Sequence, residues 1–156
     1  MKWLWVSAAV LLLDQVTKLL ANSMLVMHQP VDLMPMFALT LAYNPGAAFS
    51  FLSDASGWQR WFFVVLTLGV SVVLFTWLRR LGPGENRTAL ALALILGGAI
   101  GNLVDRLAYG YVIDFLDFYY GDWHWPTFNI ADSAIVVGAG LLILDAFLGQ
   151  RKAASG

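Results

Sequence analysis

Four stretches of the chain stay apolar for about 20 residues, the length that crosses a bilayer as a helix. They cover residues 3–23, 61–78, 88–107 and 130–149, and the second carries no charge at all. The segments between them follow other patterns. Residues 24–60 are broken by Pro30, Pro35 and Pro45. Within them, Phe37-Ala38-Leu39-Thr40-Leu41-Ala42-Tyr43 sets larger side chains on alternate residues, which predicts a strand. Asn44-Pro45-Gly46 reads as the turn that follows it. Residues 108–129 read as a connecting loop. The pattern predicts an all-α membrane protein over residues 1–156, with four transmembrane helices and a small β-sheet on the outer surface.

Composition agrees. Charged residues make up 12% of the chain, about half the share of a soluble domain, and the mean hydropathy is +0.71. The basic residues then give an orientation. Lys2 precedes the first span, Arg79, Arg80 and Arg87 crowd the turn between the second and third, and Arg151-Lys152 follow the fourth. Four spans put these clusters on one side, which the positive-inside rule makes cytoplasmic. The outer segments 24–60 and 108–129 hold only Arg60, so both termini are expected inside. Trp3, Trp5 and Trp77 would mark the inner interface, and Trp58, Trp61, Tyr119, Tyr120, Trp123 and Trp125 the outer one. Lys2 ahead of an apolar stretch resembles a secretion signal. Asp14 and Lys18 interrupt that stretch and no cleavage site follows promptly, so it reads as a retained helix. A net charge of −1 without a basic patch points away from nucleic acid.

Five of the ten acidic residues, Asp105, Asp114, Asp117, Asp122 and Asp132, fall between Gly101 and Ser133. A helical rise of about 1.5 Å per residue places Asp14 and Lys18 roughly 18 and 24 Å from the inner surface. By the same rise, Asn102, Asp105 and Arg106 lie roughly 21 to 27 Å across. Asp132 opens the fourth span and Asp114 lies in the outer connection, so these groups converge on one layer in the outer third of the bilayer. Asp14 and Lys18 have the acid-first i,i+4 spacing of an ion pair. Asp105 and Arg106 can anchor the third helix, Asn102 and Asn129 can bridge helices, and Gly97, Gly98 and Gly101 permit close helix approach. Asp117, Asp122, His28 and His124 read as loop or interface residues, and Asp145 as a solvated helix end. Asp114 and Asp132 have no basic neighbour at helical spacing. A carboxylate in such surroundings costs several kcal/mol unless it is solvated or paired.

Most hydrolytic chemistries are not supported. The chain has no cysteine and no Gly-x-Ser-x-Gly, and its two histidines are isolated, so neither a nucleophilic triad nor a His-Glu-x-x-His zinc site is written in it. A carboxylate pair remains. Two neighbouring aspartates share a proton, so one activates water while the other assists the substrate carbonyl.

Five ordered motifs resemble those of the lipoprotein signal peptidase (signal peptidase II) family of intramembrane aspartyl proteases. They are Asp14-Gln15-Val16-Thr17-Lys18, Asn44-Pro45-Gly46-Ala47-Ala48-Phe49, Gly101-Asn102-Leu103-Val104-Asp105-Arg106, Val112-Ile113-Asp114-Phe115 and Phe128-Asn129-Ile130-Ala131-Asp132-Ser133. The resemblance implies a bacterial inner-membrane endopeptidase with its sheet and active site at the periplasmic face. It implies Asp114 and Asp132 as the catalytic dyad, with no metal or cofactor. Asn44, Asn102, Arg106 and Asn129 would position substrate or support the dyad, and Asp14, Lys18 and Asp105 would hold the polar layer together. The expected partners are a diacylglyceryl-modified prolipoprotein, cut before its lipid-bearing cysteine, and membrane lipid, with the enzyme a monomer. The alternative from another class is a small transporter or proton relay using the same carboxylates. A third is a membrane scaffold in which the two acids only bind helices together.

Overall fold

The structure, a computed structural model, describes residues 2–46 and 57–154, with the backbone alone for 149–154. Ala47, Ala48 and Phe49 of the second motif and the side chains of Arg151 and Lys152 lie outside it. Four helices are long and apolar enough to cross a membrane: α1 (Leu4–Met24), α2 (Trp58–Arg80), α3 (Asn86–Ala108) and α4 (Ile130–Ala154). Helix α3 packs against the other three. Its sequence explains why. Ala89, Ala91, Ala93, Gly97, Gly98, Ala99 and Gly101 put small residues among its buried positions, so neighbouring backbones come close there. A Cβ at Gly97 would meet Ser7 O of α1 at 2.7 Å, and one at Gly98 would strike Ala131 O of α4. Ser7 adds a hydrogen bond to Ala93 O at 2.8 Å. Large apolar side chains on the outer faces of α1, α2 and α4 stay exposed, among them Leu12, Val65, Val72 and Val136, as bilayer-facing side chains do.

One end of the bundle carries an antiparallel sheet in the order β1 (Val31–Met34), β2 (Phe37–Asn44), β3 (Val112–Tyr120), β4 (Trp123–His124). β2 contains the strand that alternation predicts. β3 corrects the sequence reading, because residues 112–120 form a strand instead of a loop. Its near-continuous apolar run, interrupted by two acids, hides the period-2 signal. It becomes a strand by pairing with β2, in the register Ala42↔Asp114 and Asn44↔Val112. A bulge in β2 between Leu39 and Ala42 lets the strand bend there.

Three further readings are corrected. Asp117 is buried within β3 rather than solvated, and His124 belongs to β4 rather than a loop. Asp145 is half-buried and accepts a 2.6 Å hydrogen bond from Thr88 Oγ1, which ties α4 to α3 instead of standing free in water. Asp122 sits exposed in the β3–β4 turn.

Candidate active site

The carboxylates of Asp114 and Asp132 meet where the sheet joins the bundle, one from β3 and one from the first turn of α4. Asp114 is 1% exposed; Asp132 is only partly buried. Three asparagines hold them. Asn129 Nδ2 donates to Asp114 Oδ1 at 2.7 Å, Asn44 Nδ2 to Asp114 Oδ2 at 3.1 Å, and Asn102 Nδ2 to Asp132 Oδ1 at 2.7 Å. Asn129 Nδ2 also lies 3.1 Å from Asn102 Oδ1, so the two acids join through a chain of two amides.

Each amide has its orientation decided by a group that can only donate. Asn102 Oδ1 accepts from Lys18 Nζ at 2.9 Å, and an ammonium has no acceptor, so the NH₂ must face Asp132. Asn129 Oδ1 accepts the backbone N–H of Asp132 at 2.9 Å, and Asn44 Oδ1 that of Gly46 at 2.9 Å. Both therefore turn their NH₂ groups to Asp114. Asn44 reaches it diagonally across the β2–β3 ladder, on the face shared by Ala42 and Asp114.

A second layer fixes the lysine. Lys18 Nζ lies 2.8 Å from Asp14 Oδ2 and 2.9 Å from Asp105 Oδ2, and all three side chains are almost fully buried. The two acids are themselves used as tethers. Asp14 Oδ1 accepts Ala131 N–H at 2.9 Å, which holds the start of α4, and Asp105 Oδ2 accepts Ile113 N–H at 3.0 Å, which holds the start of β3. The elements bearing Asp114 and Asp132 are thus each pinned to the same buried ion cluster. Gln15 completes it, donating to Asp105 Oδ1 at 2.9 Å and approaching Asp14 Oδ2 and Gly101 O at 3.2 Å each. The sequence reading gave Gln15 no role, although its place beside Asp14 in the first motif was a usable signal.

Arg106 borders the carboxylates and, among the described residues, is bonded to neither Asp114 nor Asp132. Its Nη1 donates to Asn102 O at 3.3 Å and its guanidinium lies over Phe63, 5.2 Å from the ring centre. It lines a cavity of about 320 Å³ between α2, α3 and α4 that reaches Asp132. A cavity of about 600 Å³ opens on the other side of Asp132, lined by Asn44, residues 125–128 and the α4 face bearing Val136 and Val137. Asp132 thus borders both.

Burial pushes the Asp114 carboxyl up to about 7, and the neighbouring charge of Asp132 adds to this; the bonds from Asn44 and Asn129 and the Lys18 charge oppose it. A carboxyl so placed keeps a proton near neutrality that an exposed aspartate would lose. The arrangement suits general acid–base chemistry on a substrate entering from either cavity. Among the described residues, no three His, Asp or Glu side chains group as metal ligands.

A family profile described as Signal peptidase (SPase) II matches residues 6–148. The lipoprotein signal peptidase of Photorhabdus laumondii is 53% identical over 148 residues, 95% of this chain and 89% of its own length. That of Pseudomonas fluorescens is 55% identical over 151 residues, 96% of this chain and 89% of its own. That of Teredinibacter turnerae is 52% identical over 156 residues, 100% of this chain and 93% of its own. Two bacterial membrane enzyme structures determined by the in meso method share the fold. One superposes with a TM-score of 0.84 at 27% identity over 96% of this chain and 89% of that one. The other has a TM-score of 0.82 at 28% identity, over 93% and 92% respectively. The likeness runs through all four helices and the sheet, and the chain belongs to the signal peptidase II family.

Proposed function

We propose that the protein removes signal peptides from diacylglyceryl-modified prolipoproteins, cutting before the lipid-bearing cysteine, with Asp114 and Asp132 as a proton-sharing aspartic dyad. Family membership makes the chain a membrane protease and supports a prolipoprotein substrate. The observation that carries the mechanism is the amide chain from Asp114 through Asn129 and Asn102 to Asp132. It holds two carboxylates from different elements together, with a third amide on Asp114 and one of the acids open to two cavities.

The pair holds one proton between them. The ionised carboxylate takes a proton from water as its oxygen attacks the scissile carbonyl carbon. The protonated partner hydrogen-bonds the carbonyl oxygen and transfers its proton as the tetrahedral oxygen forms. On collapse the now ionised partner takes back a hydroxyl proton as the C=O re-forms. The carboxyl that took the water proton gives it to the leaving nitrogen as the C–N bond breaks, which restores the starting pair. The asparagine N–H groups stabilise the carboxylates and stay aimed without reorganisation. Lys18, paired with Asp14 and Asp105, keeps the Asn102 amide aimed, and the Asp132 and Gly46 N–H groups aim those of Asn129 and Asn44.

The basic clusters support a reading with both termini in the cytoplasm and the sheet with the dyad at the periplasmic face, where an exported signal peptide ends. Apolar walls beside Asp132 suit acyl chains and an apolar peptide. Cleavage of a lipid-modified prolipoprotein by purified protein tests the reading. Asp114→Asn and Asp132→Asn are each expected to lower the rate at least about 1,000-fold while the protein stays folded. Full activity in either folded variant would overturn the dyad. Ion flux in proteoliposomes without cleavage would favour a transporter instead.

A further inference from the structure

We propose that Asp117 and His124 form a positioning pair that holds the wall at residues 125–128 against the substrate cleft beside Asp132. The inference rests on the dyad reading above, since it assigns a role at the same cleft. Asp117 lies three residues beyond Asp114, so strand alternation turns it to the opposite face of β3, away from the reaction. It is nevertheless 2% exposed. A carboxylate buried that deeply needs donors. It takes one from β2, where Thr40 Oγ1 donates at 2.7 Å, and the other from β4, where His124 Nδ1 lies 3.0 and 3.1 Å from its two oxygens. One buried side chain therefore joins three strands.

The join matters because β4 is only two residues long and pairs with β3 at Tyr119↔His124 and Tyr120↔Trp123 alone. The chain then runs directly into Trp125, Pro126, Thr127 and Phe128, all of which line the cavity of about 600 Å³ with Asp132 and Asn44. Backbone bonds tie this stretch to β3 only at its two ends. Trp125 N donates to Phe118 O at 2.8 Å at the start. At the far end Phe128 N donates to Leu116 O at 3.0 Å while Phe128 O accepts from Phe115 N at 3.0 Å and Leu116 N at 2.8 Å; Pro126 between them has no N–H to give. His124 anchors its start. Its ring stacks on Tyr119 at 5.4 Å, and Tyr119 in turn donates its hydroxyl to Asp32 of β1 at 3.0 Å. A wall set this way touches bound substrate without touching the reacting atoms, so it acts on substrate binding more than on turnover.

His124 is half exposed at its side chain, so a ring of similar size there meets no buried packing, and Thr40 still donates to Asp117. His124→Phe keeps a ring to stack on Tyr119 and removes the Nδ1 contact. His124→Asn returns an amide nitrogen near the Nδ1 position. The experiment measures KM and kcat on lipid-modified prolipoprotein, with hydrogen exchange at residues 123–128, for both variants and the unchanged protein. For His124→Phe, KM is expected to rise about fivefold with kcat within about twofold, with faster exchange at the Trp125 amide. His124→Asn should restore both. Unchanged KM and exchange in His124→Phe would overturn the proposal, as would a fall in kcat at constant KM. If the unchanged protein does not cleave the substrate, the functional reading fails, and exchange alone then decides whether the pair holds the wall.

Discussion

Asn129 and Asp132 cap each other. The side-chain oxygen of Asn129 accepts the Asp132 N–H at 2.9 Å, and Asp132 Oδ2 accepts the Asn129 N–H at 3.3 Å. This reciprocal box starts α4, and it uses a carboxylate of the proposed dyad as one of its two acceptors. The helix start and the proposed reactive group are the same piece of structure, and the Asn129 amide that remains faces Asp114. Asn129→Ser keeps a capping oxygen and loses that amide, while Asn129→Ala loses both. Cleavage is expected to fall in both on the order of 10- to 100-fold. Their stabilities should differ by about 1 kcal/mol, the worth of the cap. Thermal unfolding in detergent beside the cleavage rate separates the two effects.

The Asp114 carboxyl, held up to about 7, sets a pH dependence. Above that pH the pair loses its shared proton, so kcat/KM should fall about tenfold per pH unit on the alkaline side. Stability should fall in the same direction. Between about pH 4 and 7 the folded chain keeps a proton that an unfolded aspartate has released, so rising pH favours the unfolded state. Asp114→Asn removes this term and should flatten unfolding midpoints across that window. A cleavage profile that stays level up to pH 9 would contradict the assignment.

Lys18 neutralises Asp14 and Asp105 together. Lys18→Met leaves two buried carboxylates without their cation and is expected to destabilise the protein by about 3–5 kcal/mol. Adding Asp14→Asn and Asp105→Asn should recover most of the loss, because neutral amides need no counter-charge. Activity should stay low in the triple variant, because Asn102 Oδ1 then loses the ammonium that turns its NH₂ toward Asp132 and keeps only the longer 3.1 Å bond from Asn129. Denaturant titration and cleavage of the three proteins provide the check.

A Cβ at Gly98 would strike Ala131 O, one residue before Asp132. Gly98→Ala should therefore shift the first turn of α4, costing about 1–3 kcal/mol and lowering cleavage at least about tenfold. Gly69 of α2 has nothing within 4 Å of its Cβ position, so Gly69→Ala is the control expected to leave both unchanged.

Not all of the site was equally open to reading from the chain. Asp114 and Asp132 stood out because neither has a basic residue at helical spacing, which is a local property. The Asp14–Lys18 pair was legible for the same reason. Asp117 was misread as solvated because its donors, Thr40 and His124, come from other strands, and nothing beside it in sequence predicts burial. Gln15 was passed over because its main partner, Asp105, lies 90 residues away.

The sequence by itself determined the four spanning segments, since hydropathy sums over neighbouring residues and a bilayer selects on that sum. It also determined which acids lacked a local partner. Only the tertiary structure decided that residues 112–120 form a strand, because that strand depends on hydrogen bonds to β2, about 70 residues earlier. It alone decided which way the three asparagine amides turn. An amide side chain is symmetrical in shape and differs only in which end donates, and the choice is made by Lys18 and two backbone N–H groups that the fold brings to it.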